Sequence, residues 1–135
     1  MRRVFADTLY WGAIIYPHDQ YANRAIRVQN TLGDAHLITT DEVLTEVLDG
    51  LANRGSVVRN TAVQAVEKIV ADPRVTVHRQ SRESFLAGIE LYRRRNDKGY
   101  SLVDCVSMNT MRREGISEVL TNDHHFTQEG FTILL

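Results

Sequence analysis

Short apolar runs alternate with longer amphipathic stretches from one end of this chain to the other. Val4-Phe5-Ala6 is the first such run and reads as a strand ending at Asp7. Leu9 to Tyr16 reads as a short helix broken at Pro17, and Asp19 to Leu32 as a second helix stopped by Gly33. His36-Leu37-Ile38 is the second strand. Thr39-Thr40-Asp41-Glu42 then has the form of a capping box, a hydroxyl followed three residues later by an acid. Behind it Val43, Leu44, Val47, Leu48 and Leu51 fall on one helical face.

Val57 to Val70 repeats the helical spacing through Val58, Ala62, Ala65, Val66 and Ile69, and Pro73 closes it. Val75-Thr76-Val77 is the third strand. Ser84 to Arg95 follows as a helix whose Phe85, Leu86, Ile89 and Tyr92 are expected to face inward. Asn96 to Gly99 is a polar loop, and Ser101 opens a helix that runs to about Arg113 and ends at Gly115. Val119-Leu120 is the fourth strand and Phe131 to Leu134 the fifth. Strands separated by helices predict an α/β fold, a mainly parallel sheet with helices on both faces. No repeat or linker interrupts the pattern, so residues 1–135 are expected to form a single domain.

The pattern places four carboxylates in comparable positions. Asp7 and Asp123 follow the first and fourth strands, while Glu46 and Asp104 lie in the opening turns of helices. In a parallel sheet, crossover helices begin where strands end, so all four map to the carboxyl edge, where open α/β sheets bind ligands. Each has a local alternative. Asp7 could cap the first helix, and Asp104 could complete a capping box with Ser101. Glu46 projects about 130° from the centre of its helix's apolar face, at about 100° per residue, as a solvated glutamate would. Asp123, in Thr121-Asn122-Asp123-His124-His125, could be a turn residue. Asp104 nonetheless sits on a helix that is apolar almost all round, and a buried carboxylate needs a partner.

Composition narrows the chemistry. With 43% hydrophobic and 24% charged residues the chain is an ordinary folded protein. Its one cysteine, Cys105, rules out an intramolecular disulfide and a Cys-rich zinc site, and fits a reducing cytoplasm. Cys105 itself reads as a buried small hydrophobe. No apolar run approaches the roughly 18–20 residues of a membrane helix, and the stretch after Arg2 and Arg3 is cut at Asp7 too soon for a signal peptide. A net charge of −1 offers no general attraction for polyanions, so nucleic-acid binding would need local patches. Of the sixteen Lys and Arg residues only Lys68 and Lys98 are lysines.

Two carboxylates about 4 Å apart repel by about 4 kcal/mol at an effective dielectric near 20, so four together would hold protons or a cation. Hard oxygen donors favour Mg²⁺ or Mn²⁺, and such ions support in-line hydrolysis of phosphodiesters.

The motifs also resemble a known family. Phe5-Ala6-Asp7-Thr8 is similar to the opening of PIN domains, and Thr40 with Glu46 to their second motif. Ser101-Leu102-Val103-Asp104-Cys105 is similar to the third, and Leu120-Thr121-Asn122-Asp123-His124-His125-Phe126 to the fourth. The ordered set spans nearly the whole chain. The resemblance implies a three-layer α/β/α PIN-like domain with a five-stranded sheet of order 3-2-1-4-5. It also implies a metal-dependent endoribonuclease, often the VapC toxin of a toxin–antitoxin pair, acting on RNA as a homodimer. Asp7, Glu46, Asp104 and Asp123 would then be the catalytic, Mg²⁺- or Mn²⁺-binding acids. Thr8, Ser101 and Thr121 would orient water or those acids.

Several other residues carry weaker signals. Arg93, Arg94, Arg95 and Lys98 form the densest basic cluster and could steer RNA phosphates, although cations also stabilise helix ends, as with Arg112 and Arg113. His124 and His125 are expected to be incidental loop histidines. Tyr10 and Trp11 are expected to pack in the core or a dimer contact rather than stack on bases. Three readings compete with the toxin. One is a PIN nuclease of RNA processing without an antitoxin, and another is a non-catalytic RNA- or protein-binding module. The third is phosphoryl transfer through Asp7, for which the second aspartate of the phosphatases is missing because Leu9 holds its place.

Overall fold

The computed structural model describes residues 1–135. The elements run β1 (Arg3–Ala6), α1 (Thr8–Ile15), α2 (Ala22–Thr31), β2 (His36–Thr40), α3 (Asp41–Gly50), α4 (Ser56–Ala71) and β3 (Val75–His78). They continue through α5 (Arg82–Arg94), α6 (Leu102–Glu114), β4 (Glu118–Leu120), α7 (His125–Gln128) and β5 (Thr132–Ile133). The five strands form one sheet of order β3-β2-β1-β4-β5, and every pairing is parallel. This is the expected α/β fold with the expected strand order. The chain steps outward from β1 to β2 and β3, then returns to the other side of β1 as β4. Successive connections therefore diverge between β1 and β4, and that divergence opens a crevice at the strands' carboxyl ends.

A single cluster of 26 buried residues forms the core, with Phe5, Ile38, Val119, Met108, Met111 and Phe126 at its centre. Tyr10 and Trp11 belong to it, at 1% and 6% exposure, so they pack in the core and present no free face for stacking on RNA. Cys105 is fully buried, as its position in the apolar α6 predicts.

Three local expectations need correction. The cap of α3 is Thr40 rather than Thr39: Thr40 Oγ1 accepts the Val43 N–H at 3.1 Å. Thr39 is unavailable because its hydroxyl donates to the Ala6 carbonyl across the β1–β2 pair at 2.9 Å. The second helix begins at Ala22, since Asp19 Oδ1 instead accepts the Tyr21 N–H at 2.8 Å and makes a turn.

The largest correction concerns α5. Phe85, Leu86 and Tyr92 are exposed, at 39%, 51% and 54%, and Ile89 is only half-buried, whereas Gly88 and Leu91 are buried. A Cβ on Gly88 would lie 2.8 Å from Val106 Cγ2 and 3.3 Å from Leu102 Cδ1. The glycine lets α5 and α6 approach closely, so the helix packs by its smallest residue and not by its most apolar stripe. His125 to Gln128 forms a further short helix, α7, that periodicity does not predict.

Candidate active site

Asp7 follows the last residue of β1 and is the N-cap residue of α1, but its side chain makes no capping bond along the helix. The carboxyl turns toward β4 instead, where Oδ2 accepts from Thr121 Oγ1 at 2.9 Å. Asp7 is 6% exposed and has no cation against it. Burial, reinforced by the negative charges of Asp104 and Glu46, pushes its pKa up to about 7 against the pull of Thr8 N–H and Thr121. At neutral pH this carboxyl is close to half-protonated in the absence of a metal.

Thr121 holds two acids at once. While its hydroxyl donates to Asp7, the same oxygen accepts the Asp123 N–H at 3.2 Å. Thr121 is fully buried, so the arrangement is fixed by the core beneath it. The spacing of Thr121 and Asp123 thus has a mechanical reason: one hydroxyl registers the end of β1 against the turn after β4.

Glu46, in the second turn of α3, accepts a short hydrogen bond from the Thr8 hydroxyl. The solvated alternative for Glu46 therefore fails, because the side chain is bonded to Thr8 at the start of α1. Asp104 does complete a capping box, accepting the Ser101 N–H at 3.0 Å while Ser101 Oγ accepts the Asp104 N–H at 3.0 Å. Capping and site membership coexist here. The Asp104 side chain is 13% exposed, and burial, with the charge of Asp123 added, raises its pKa despite the Ser101 bonds. Asp123 Oδ1 accepts the His125 N–H at 2.9 Å in the turn that starts α7.

All four acids and the three hydroxyl residues Thr8, Ser101 and Thr121 line one open depression of about 510 Å³ at the carboxyl edge of the sheet. No lysine or arginine lines it. A fifth acid, Asp19, does, carried there by the turn before α2. Its place in the apparent helical run of residues 19–32 hides it from pattern reading. His125, expected to be incidental, lies with Nδ1 3.4 Å from Asp123 Oδ1 and 3.6 Å from Asp104 Oδ2. The Asp123 turn bends the chain two residues on, which is the only local signal that could have found it.

Arg93, Arg94, Arg95 and Lys98 do not line the depression. Arg93 pairs with Glu90 at 2.6 Å, and Lys98 lies 4.0 Å from Asp97. Arg95 departs most from the expected free patch, since its guanidinium pairs with buried Glu129 at 2.8 Å. Arg94 alone is exposed with no acidic partner.

The donor set fits a hard divalent cation: four carboxylates line one depression, Asp7 is held partly protonated for lack of a counter-charge, and no lysine or arginine neutralises them. The PIN domain model matches residues 4–131, and the chain belongs to the PIN domain family. Among solved structures it is similar to VapC20 of Mycobacterium tuberculosis, a sarcin-ricin-loop-cleaving toxin. Identity is 26% over 96% of each chain, with a TM-score of 0.85. FitAcB from Neisseria gonorrhoeae shares the fold at 16% identity, over 98% of this chain and 96% of that one, with a TM-score of 0.68. So does VapBC2 from Rickettsia felis, bound to a DNA fragment from their promoter, at 16% identity, 98% and 97% coverage and a TM-score of 0.63. No curated protein matches the sequence. No helix is long and apolar enough to cross a membrane.

Proposed function

We propose that this chain is a divalent-metal-dependent endoribonuclease, the toxin of a VapBC-type toxin–antitoxin pair, built as one domain over residues 1–135. The observation that carries the reading is the convergence of Asp7, Glu46, Asp104 and Asp123, from four separate segments, on a depression without a single Lys or Arg. Membership of the PIN family and the likeness to a sarcin-ricin-loop-cleaving toxin support RNA as substrate.

Asp7, Glu46, Asp104 and Asp123 would hold Mg²⁺ or Mn²⁺. When bound, the ion supplies positive charge to the scissile phosphate and to the leaving oxygen. The protein's own groups do the rest. Thr121, Thr8 and Ser101 fix the orientation of Asp7, Glu46 and Asp104 through the hydrogen bonds described above. Asp7 or Asp104 orients a water for in-line attack on phosphorus and accepts its proton, leaving a 5′-phosphate and a 3′-hydroxyl. Arg94 is the residue of the basic cluster best placed by its freedom to meet a phosphate.

A protein antitoxin and a homodimer complete the proposal. Toxin–antitoxin proteins among the structural neighbours support the first, and the family resemblance supports the second. The test is cleavage of structured RNA with Mg²⁺ or Mn²⁺, stopped by EDTA and absent in Asp7→Asn. Undiminished cutting by that variant, or by the wild type in EDTA, overturns the mechanism.

A further inference from the structure

Beside the acids, the Nδ1 atom of His125 is buried and has no hydrogen-bond partner. We propose that His125 Nδ1 is a nitrogen ligand to the divalent ion, completing a site with Asp104 and Asp123 that favours Mn²⁺ over Mg²⁺. The proposal rests on the metal-dependent reading above and adds a donor that the four-acid motif does not contain.

Geometry is the first support. Nδ1, an Asp104 oxygen and an Asp123 oxygen all lie within 4.8 Å of one another. The two nitrogen–oxygen separations are 3.4 and 3.6 Å, too long for the bent contacts here to count as hydrogen bonds. Ligands about 2.1 Å from a shared ion stand about 3.0 Å apart at right angles and about 3.4 Å apart at tetrahedral angles. The two nitrogen–oxygen separations are compatible with atoms arranged around an ion. A ring nitrogen facing two carboxylates must carry either a proton or a cation shared with them, and the absence of a hydrogen bond at Nδ1 favours the shared cation.

The ring is also held in place from behind. It packs on Tyr100 with centroids 5.1 Å apart and planes tilted by 57°. Tyr100 is anchored in turn, its hydroxyl donating to Glu129 Oε2 at 2.8 Å, and Glu129 is clamped by Arg95 and Arg112. From the main chain, the His125 N–H bond to Asp123 fixes the separation of the two side chains, while the next residue, Phe126, is fully buried. An aromatic platform beneath a metal-binding imidazole serves the purpose of outer groups generally, which is to fix ring orientation.

The chemical consequence is selectivity. Mg²⁺ is bound almost entirely through oxygen, whereas Mn²⁺ accepts imidazole more readily. A site of carboxylates alone would discriminate weakly, and one imidazole tips it toward Mn²⁺.

The test uses the whole protein loaded with Mn²⁺ and pulsed electron paramagnetic resonance, which detects a ¹⁴N nucleus directly bonded to the ion. The wild type and His124→Ala should show nitrogen modulation, and His125→Ala and His125→Gln should lose it. By calorimetry both His125 variants should bind Mn²⁺ about tenfold more weakly, with Mg²⁺ affinity changed less than about twofold. A wild type that binds Mn²⁺ without nitrogen modulation, or modulation that survives in His125→Ala, overturns this assignment and leaves the nuclease reading standing. A wild type that binds neither ion overturns both. The wild-type spectrum requires no variant, so misfolding of a mutant cannot hide the answer.

Discussion

Two carboxylates in this molecule, both little exposed, are treated in opposite ways. Asp7 is 6% exposed, and the Glu129 side chain is 4% exposed. Asp7 has one neutral side-chain donor, Thr121, and other acids around it, and its pKa is pushed up to about 7. Burial would raise Glu129 likewise, but bonds from Arg95, Arg112 and Tyr100 outweigh it and hold the pKa at about 2. Burial pushes both upward, and the partners decide where each ends. Glu129 has its charge met by the protein, so it ties the end of α5, the end of α6 and the loop at Tyr100 to the segment before β5. Asp7 has its charge left unmet, which is costly to folding and useful only if something from solution completes it.

The largest expected effect comes from removing the unmet charge. Asp7→Asn should lower RNA cleavage by at least about 10³-fold, since an amide can neither accept a proton nor bind a hard cation well. The same change should make the metal-free protein more stable, by about 1–2 kcal/mol at pH 8, because a buried uncompensated charge disappears while Thr121 still finds an acceptor. Thermal melts in EDTA measure this. A melting temperature that falls instead would mean that Asp7 is compensated and the contrast with Glu129 is false.

Glu129→Gln is the complementary change, and its sign should be reversed. Two guanidiniums lose their counter-charge, so the metal-free protein should lose about 2 kcal/mol, a figure kept below that of a sealed ion pair because both arginines are partly solvated. The pH dependence separates the two sites. Glu129, with its folded pKa depressed, contributes stability that is fully present above about pH 4.5 and is lost as pH falls through about 2. Asp7, with its folded pKa raised, carries a cost that is fully present above about pH 7 and is relieved as pH falls toward about 4. Plotted against pH, the gap between wild type and Glu129→Gln should close only in strong acid. The gap to Asp7→Asn should close between neutrality and pH 4.

The same contrast explains what could be read from the chain. Alternating apolar runs revealed the strands and helices, and strand ends and helix starts placed Asp7, Glu46, Asp104 and Asp123 at one edge, because those signals are local. Strand order came from resemblance alone, since periodicity says nothing about which strand lies beside which. The misreadings have a common cause in contacts that cross the fold. Gly88 turns α5 over because α6 needs its missing Cβ, and Thr39 cannot cap α3 because β1 takes its hydroxyl. Arg95 looked like part of a free basic patch until Glu129, far along the chain, claimed it. Asp19 enters the depression, and His125 comes beside Asp104 and Asp123, through tight turns whose direction is not a property of spacing.

The finest test of the comparison removes one neutral hydrogen bond from each carboxylate. Tyr100→Phe deletes one of three donors to Glu129 but leaves both arginines and the ring beneath His125. Thr121→Val deletes the only side-chain donor to Asp7 and the acceptor for the Asp123 N–H, with almost no change of volume. If charge compensation sets the difference, Tyr100→Phe should cost under about 1 kcal/mol of stability and leave cleavage unchanged, because the charged donors carry the site. Thr121→Val should lower cleavage about tenfold, worth about 1.4 kcal/mol in the transition state. Equal effects of the two substitutions on cleavage would show that Thr121 only fills space, and that the core alone sets the orientation of Asp7.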